Sequence, residues 1–80
     1  MIINIKYFGL LADITKKKEE QMVLDESNFS VAFLKSKMES AYQELQNTNY
    51  SVAVNQAMVG MDSKIKDQDV IAFLPPFAGG

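Results

Sequence analysis

Only one stretch of this chain carries a long helical period. Val31, Leu34, Met38, Ala41, Tyr42 and Leu45 recur at spacings of three and four, with one adjacent pair, which gathers them on one face of an amphipathic helix. One such helix can cover one face of a sheet and no more. Ser30 is placed to cap its N-terminus through the hydroxyl. Phe29 and Leu34 fit a hydrophobic staple, and Asn47-Thr48-Asn49 supplies the stop.

The remaining apolar segments read as strands. Ile3, Ile5 and Tyr7 alternate with Asn4 and Lys6, while Ile2 and Phe8 make the other face partly apolar and Gly9 ends the run. Leu10 to Ile14 has room for one helical turn. Lys16-Lys17-Lys18-Glu19-Glu20 reads as a solvated charged loop, and Gln21 to Leu24 as a weaker strand forming a hairpin with the first. Asp25 to Asn28 is turn-like. Ser51 to Asn55 and Ala57 to Val59 are short strands across a tight turn, and Gly60 to Gln68 is irregular. Val70-Ile71-Ala72-Phe73-Leu74 is apolar throughout, the pattern of a strand buried on both faces, which places it inside the sheet beside the first strand. Strand, strand, helix, two short strands, strand is the order of the β-grasp, or ubiquitin-like, arrangement: α+β, a mixed sheet covered on one face by one main helix. At 80 residues the chain is one domain, expected over 1–74, with an extended tail over 75–80.

Composition narrows the chemistry. There is no Cys and no His, which excludes disulfides, Cys/His zinc sites, thiol nucleophiles and imidazole bases. The basic residues are 8 lysines against 10 acids, for a net charge of −2. A nucleic-acid module usually has a clustered basic face with Arg prominent. No apolar run reaches the ~18–20 residues of a membrane span, and the N-terminus lacks the basic region of a signal peptide. The expectation is a soluble cytoplasmic protein with no resident metal or cofactor. Asp67 and Asp69 read as solvated turn residues.

The ending is the informative segment. Pro75 and Pro76 remove two backbone donors and stop sheet pairing, and Pro76 biases Pro75 toward extended backbone. Residues 75–80 reach roughly 20 Å when extended. Side chains shrink from Phe77 through Ala78 to Gly79 and Gly80. Such a thread fits a narrow channel in another protein, and its unhindered carboxylate is suited to activation as an acyl-adenylate.

The segments Val52-Ala53-Val54-Asn55-Gln56 and Asp67-Gln68-Asp69-Val70-Ile71-Ala72-Phe73-Leu74-Pro75-Pro76-Phe77-Ala78-Gly79-Gly80 resemble the small, sulfur-carrier subunits of molybdopterin synthases, members of the ubiquitin-like sulfur carriers. The strand ending in Tyr7-Phe8 and the helix from Val31 fit the same family, so the likeness spans the chain. Its specific part is the run from Phe73 to Gly80. Val54-Asn55-Gln56 also resembles the thiamine-pathway carrier, which is usually shorter and lacks the double proline. Two positions depart from the family pattern: Gln68 stands where a glycine is common, and Ala12-Asp13 where a basic then an acidic residue is usual.

The resemblance implies that an activating enzyme, using ATP and Mg²⁺, adenylates the carboxylate of Gly80. A sulfur donor protein then converts it to a thiocarboxylate. The tail, Gly79 included, next enters the large subunit of the synthase and delivers sulfur to cyclic pyranopterin monophosphate, in a heterotetramer of two small and two large subunits. On that basis the chain is a carrier and not an enzyme by itself. With no thiol, it cannot hold sulfur as a cysteine persulfide. Phe8, Met58 and Leu74 match apolar partner-facing positions of the family, and Pro75, Pro76, Phe77 and Ala78 line the tail, Phe77 as its anchor. A thiamine-type carrier, a ubiquitin-like modifier and a non-covalent interaction module are the competing expectations.

Overall fold

The computed structural model describes residues 1–25 and 29–76. Five strands form a mixed sheet in the order β2-β1-β7-β4-β5: β1 (Ile2–Tyr7), β2 (Glu19–Val23), β4 (Ser51–Val54), β5 (Ala57–Met58) and β7 (Val70–Leu74). β1 and β7 pair in parallel at the centre, with Ile5 opposite Ile71 and Tyr7 opposite Phe73, and the other pairs are antiparallel. The main helix α2 (Val31–Ala41) lies on one face and a short α1 (Leu10–Thr15) follows β1. This is the β-grasp fold. Ile3, Ile5 and Tyr7 of β1, Ile71 and Phe73 of β7, and Val52 of β4 form one core with Val31, Leu34 and Met38 of α2.

The start of α2 is closed by three different acceptors. Ser30 Oγ accepts from Phe33 N at 3.2 Å, as the sequence predicts. Val31 N and Ala32 N donate to the carbonyls of Ser63 and Met61 at 2.9 and 3.0 Å. These satisfy orphan donors of the first turn. Phe29 and Leu34 are both in the core, and Phe29 also meets Phe33, ring centroids 4.7 Å apart.

The structure departs from the sequence reading at four points. The helix ends at Ala41, because Tyr42 adopts extended backbone (φ −127, ψ 93), and a 3-10 helix (Gln43–Asn47) brings Leu45 into the core. Ala41 is therefore exposed rather than on the buried face. The region from Gly60 to Gln68 is not wholly irregular: β6 (Lys64–Ile65) pairs antiparallel with β3 (Phe29–Ser30), and two-residue strands carry no period to read. Glu19 and Glu20 belong to β2, opposite Lys6 and Ile5, leaving only the lysines in the loop. Last, β7 is central by pairing but not buried on both sides. Ile71 and Phe73 are buried, whereas Val70, Ala72 and Leu74 are half-buried, because the single helix covers only the inner face.

Candidate functional site at the root of the C-terminal tail

Register defines the outer face of the sheet. Leu74 sits opposite Ser51, Ala72 opposite Ala53, and Ala53 opposite Met58. Directly opposed residues share a face, so Leu74, Ala72, Ala53 and Met58 form one apolar strip across β7, β4 and β5. Ala53 is 4% exposed yet stands apart from the main core, as expected of a small residue covered by its outer-face neighbours. Phe8, next after β1, donates its N–H to the Phe73 carbonyl at 3.1 Å and lines a surface hollow with Lys6, Gly9 and Ala12 at the β1–α1 turn. Phe8 is 45% and Met58 57% exposed. Lys6, opposite Ala72 on β1, borders the patch.

The patch sits where β7 ends, and β7 is held there from the inner face. The Phe73 ring packs edge-on against Tyr7, centroids 5.7 Å apart, and stacks on Tyr50 at 5.4 Å. Tyr7 Oη donates to a Glu20 carboxylate oxygen. Tyr50 Oη donates to Glu39 Oε2 at 2.6 Å, with Lys35 Nζ 4.6 Å from the centre of its ring. Burial, then the adjacent carboxylate, pushes both phenols well above the ordinary tyrosine range. Lys17 Nζ, 3.1 Å from Glu20 Oε1, is also raised, first by that hydrogen bond. Phe73 is thus fixed between two protonated tyrosines, two residues before Pro75, where the tail begins.

Just past Leu74, Pro75 is half-buried and Pro76 exposed. Pro75 rests on Gly9, which has φ 55 and ψ −130. A Cβ on Gly9 would lie 3.2 Å from Pro75 Cγ. The sequence marks Gly9 only as the end of a strand, and nothing local shows that a residue 66 positions later packs on it.

The other end of β7 is locked by hydrogen bonds. Asn55 Nδ2 donates to Asp69 Oδ1 and Asn55 Oδ1 accepts from Val70 N, both at 2.9 Å, while Asp69 Oδ2 accepts from Lys66 N at 2.8 Å. Asp67 Oδ1 accepts from Ile2 N at 2.6 Å. The two aspartates therefore hold backbone donors rather than merely meeting solvent. Gln68 has φ 71, and Asn55 and Gln56 have φ 52 and 70. Gln68, standing where the resembled family commonly has a glycine, is thus left-handed, and the β4–β5 turn has positive φ at both central residues, as a type I′ hairpin requires.

Of the site residues expected from sequence, Met58 and Leu74 share the outer face, Phe8 sits at the β1–α1 turn bonded to Phe73, and Pro75 and Pro76 follow β7. Phe77, Ala78, Gly79 and Gly80 lie outside the described residues. Among the described residues, no three His, Cys, Asp or Glu side chains group as a metal site. No helix among them is long and apolar enough to cross a membrane.

A mixed five-stranded sheet with one main helix packed on one face defines a ubiquitin-like fold. The chain belongs to the ThiS family, whose profile matches residues 5–80. It is 26% identical over 80 residues to the molybdopterin synthase sulfur carrier subunit of Mycobacterium tuberculosis, covering 98% of this chain and 96% of that protein. Among solved structures it resembles a putative molybdopterin converting factor subunit 1 from Pyrococcus furiosus, with TM-score 0.87, 23% identity and coverage of 96% and 99% of the two chains. It also resembles a chain in the complex of subunits 1 and 2 of the molybdopterin-converting factor from Helicobacter pylori, with TM-score 0.69, 23% identity and full coverage of both chains.

Proposed function

We propose that this chain is the sulfur-carrier subunit of a molybdopterin synthase, acting in the cytoplasm. The domain, residues 1–74, is the scaffold, and the tail, 75–80, is the reactive arm. An activating enzyme uses Mg²⁺-ATP to join the Gly80 carboxylate to AMP, releasing pyrophosphate. A sulfur donor protein supplies the nucleophile that displaces AMP and leaves a thiocarboxylate on Gly80. The arm, with Gly79 as its slim penultimate residue, then enters the large subunit and gives its sulfur to cyclic pyranopterin monophosphate. Two such transfers complete the dithiolene, in an assembly of two small and two large subunits. The carrier binds no cofactor itself, and the catalytic groups belong to its partners.

The observation that carries this reading is the adjacency of the apolar outer face to the end of β7. Leu74 ends β7 on that face, Met58 lies two strands away opposite Ala53, and the Phe8 N–H bonds the Phe73 carbonyl just before Pro75-Pro76 ends sheet pairing. A partner docked on that face receives the arm beside its own surface, with Phe77 and Ala78 inside the channel mouth. The curated relative from Mycobacterium tuberculosis carries the name of this activity, and the Helicobacter pylori structure pairs its subunit 1 with a subunit 2.

The test is intact-mass spectrometry after incubation with the activating enzyme, ATP and a sulfur source. The expected product is heavier by the difference between one sulfur and one oxygen, and it converts the pterin precursor once the large subunit is added. An unchanged mass with a demonstrably active partner overturns the reading. Isopeptide adducts on other proteins' lysines would instead identify a modifier. Rescue of thiamine synthesis without molybdenum-enzyme activity would identify the thiamine-type carrier. Residues added after Gly80 cap the carboxylate and abolish charging, whereas a non-covalent module tolerates them.

A further inference from the structure

We infer that Gly9 is a positioning residue for the C-terminal arm: by lacking a Cβ it lets the Pro75 ring seat on the β1–α1 turn and so fixes the direction in which the chain leaves the sheet. The inference rests on the sulfur-carrier reading and deepens it, because it assigns a role in partner engagement to a residue outside the tail.

Two observations meet at this position. The first is backbone geometry. At φ 55 and ψ −130, Gly9 occupies a region that L side chains rarely enter. The turn bends the chain sharply from β1 into α1, and the carbonyl of Gly9 accepts from Ala12 N at 3.0 Å. The second is the close approach itself. A Cβ at this position would stand 3.2 Å from Pro75 Cγ and 3.8 Å from Pro75 Cβ. The first distance is tighter than ordinary van der Waals contact, and a proline ring cannot rotate aside as a flexible side chain can. A methyl group at Gly9 therefore moves either the turn or Pro75.

Pro75 is the part more free to move. The turn is tied on both sides, by the Phe8–Phe73 backbone hydrogen bond at 3.1 Å and by the first bonds of α1. Phe73 is clamped between Tyr7 and Tyr50. Pro75 donates no backbone hydrogen bond and lies beyond the last paired residue of β7. Displacement therefore falls on the arm's root. An arm that leaves at a fixed angle next to the docking face loses less orientational freedom on entering a channel. Small errors at the root grow along the thread, so the effect belongs to engagement rather than to the chemical step.

The test compares wild type, Gly9→Ala, Pro75→Ala and the double variant, as full-length chains, in thiocarboxylate formation with the activating enzyme, ATP and a sulfur source. Thermal stability is recorded in parallel. Gly9→Ala is expected to raise the apparent KM for the carrier about tenfold while kcat changes less than about twofold, the split that marks lost binding. Pro75→Ala, which removes Cγ and the ring seat but leaves the glycine turn intact, is expected to raise KM by a smaller factor. In the double variant the clash is gone while the backbone strain at position 9 persists. Its KM should return to that of Pro75→Ala, while its Tm stays as low as that of Gly9→Ala. A purely structural role for Gly9 would instead make KM follow Tm. Gly9→Ala or Pro75→Ala charging with wild-type KM overturns the inference, and should Gly9→Ala fail to fold, Pro75→Ala alone decides it. Failure of wild type to be charged overturns the carrier reading itself, a result distinct from either.

Discussion

Gln68 shows how a single backbone angle can be the weak point of a fold. Its φ of 71 costs an L residue roughly 1–2 kcal/mol, yet the turn holds because its own N–H reaches the Ile2 carbonyl at 2.6 Å and Asp67 and Asp69 accept from Ile2 and Lys66. Among the described residues, no hydrogen bond at Gln68 uses its side chain. Gln68→Gly should therefore relieve the strain while keeping the turn, raising stability by about 0.5–1 kcal/mol after the greater entropy loss of glycine. The urea midpoint would rise with the slope unchanged. Tyr7 and Tyr50 give a residue-scale pH prediction. Both phenols are raised in the folded protein, first by burial and then by Glu20 and Glu39. In the unfolded chain they ionise near pH 10, so their contribution is complete below that pH and is lost as pH climbs from there toward the folded values. Denaturation between pH 8 and about 11 should show stability falling at the alkaline end. The combined Tyr7→Phe and Tyr50→Phe variant should flatten that fall.

Among the elements, α2 and its cap were legible from sequence because a helical period of apolar residues is a redundant signal. Ser30 caps as expected. The same redundancy misled at the C-terminal end: Leu45 keeps the spacing and is buried, but it arrives from a 3-10 helix after the break at Tyr42, which a period cannot register. β3 and β6 were illegible for a different reason. Two residues apiece define no alternation, and their pairing of Phe29 with Ile65 is a contact between distant segments. β7 was placed correctly in the sheet but given one covered face too many, because an apolar run does not say whether another part of the fold or a partner will cover it. At the tail root, Phe8, Met58 and Leu74 are expected through resemblance, whereas Gly9 and the Asn55–Asp69 clasp emerge only from tertiary geometry. The shared closure of the helix start leads to a prediction for the element. Ser30→Ala removes the acceptor for Phe33 N but leaves those of Val31 and Ala32 on Ser63 and Met61. The loss should be about 1 kcal/mol rather than collapse of the helix. Hydrogen exchange should speed most at the Phe33 amide.

For the whole molecule, the inner face of the sheet builds the core, and the outer-face residues of β7 are half-buried. Phe73 and Ile71 point to the helix, while Leu74 and Ala72, their chain neighbours, point away. Period-two alternation thus lets one strand serve the core and the proposed docking surface at once, and substitutions on the two faces should separate stability from association. Met58 is 57% exposed on an edge strand and outside the core. Met58→Asp should change thermal stability little, within about 0.5 kcal/mol as for most exposed positions. It should weaken binding to the large subunit by about 1–3 kcal/mol, since a charge is desolvated where an adaptable apolar side chain had packed. Deletion of Gly80 should do the opposite: binding through the sheet face persists and sulfur charging disappears. Isothermal titration of both variants against the large subunit, with mass spectrometry of charging, measures the two halves separately. Equal affinity for Met58→Asp and wild type would show that the uncovered face does not bear the partner, and docking would then have to reside in the tail alone.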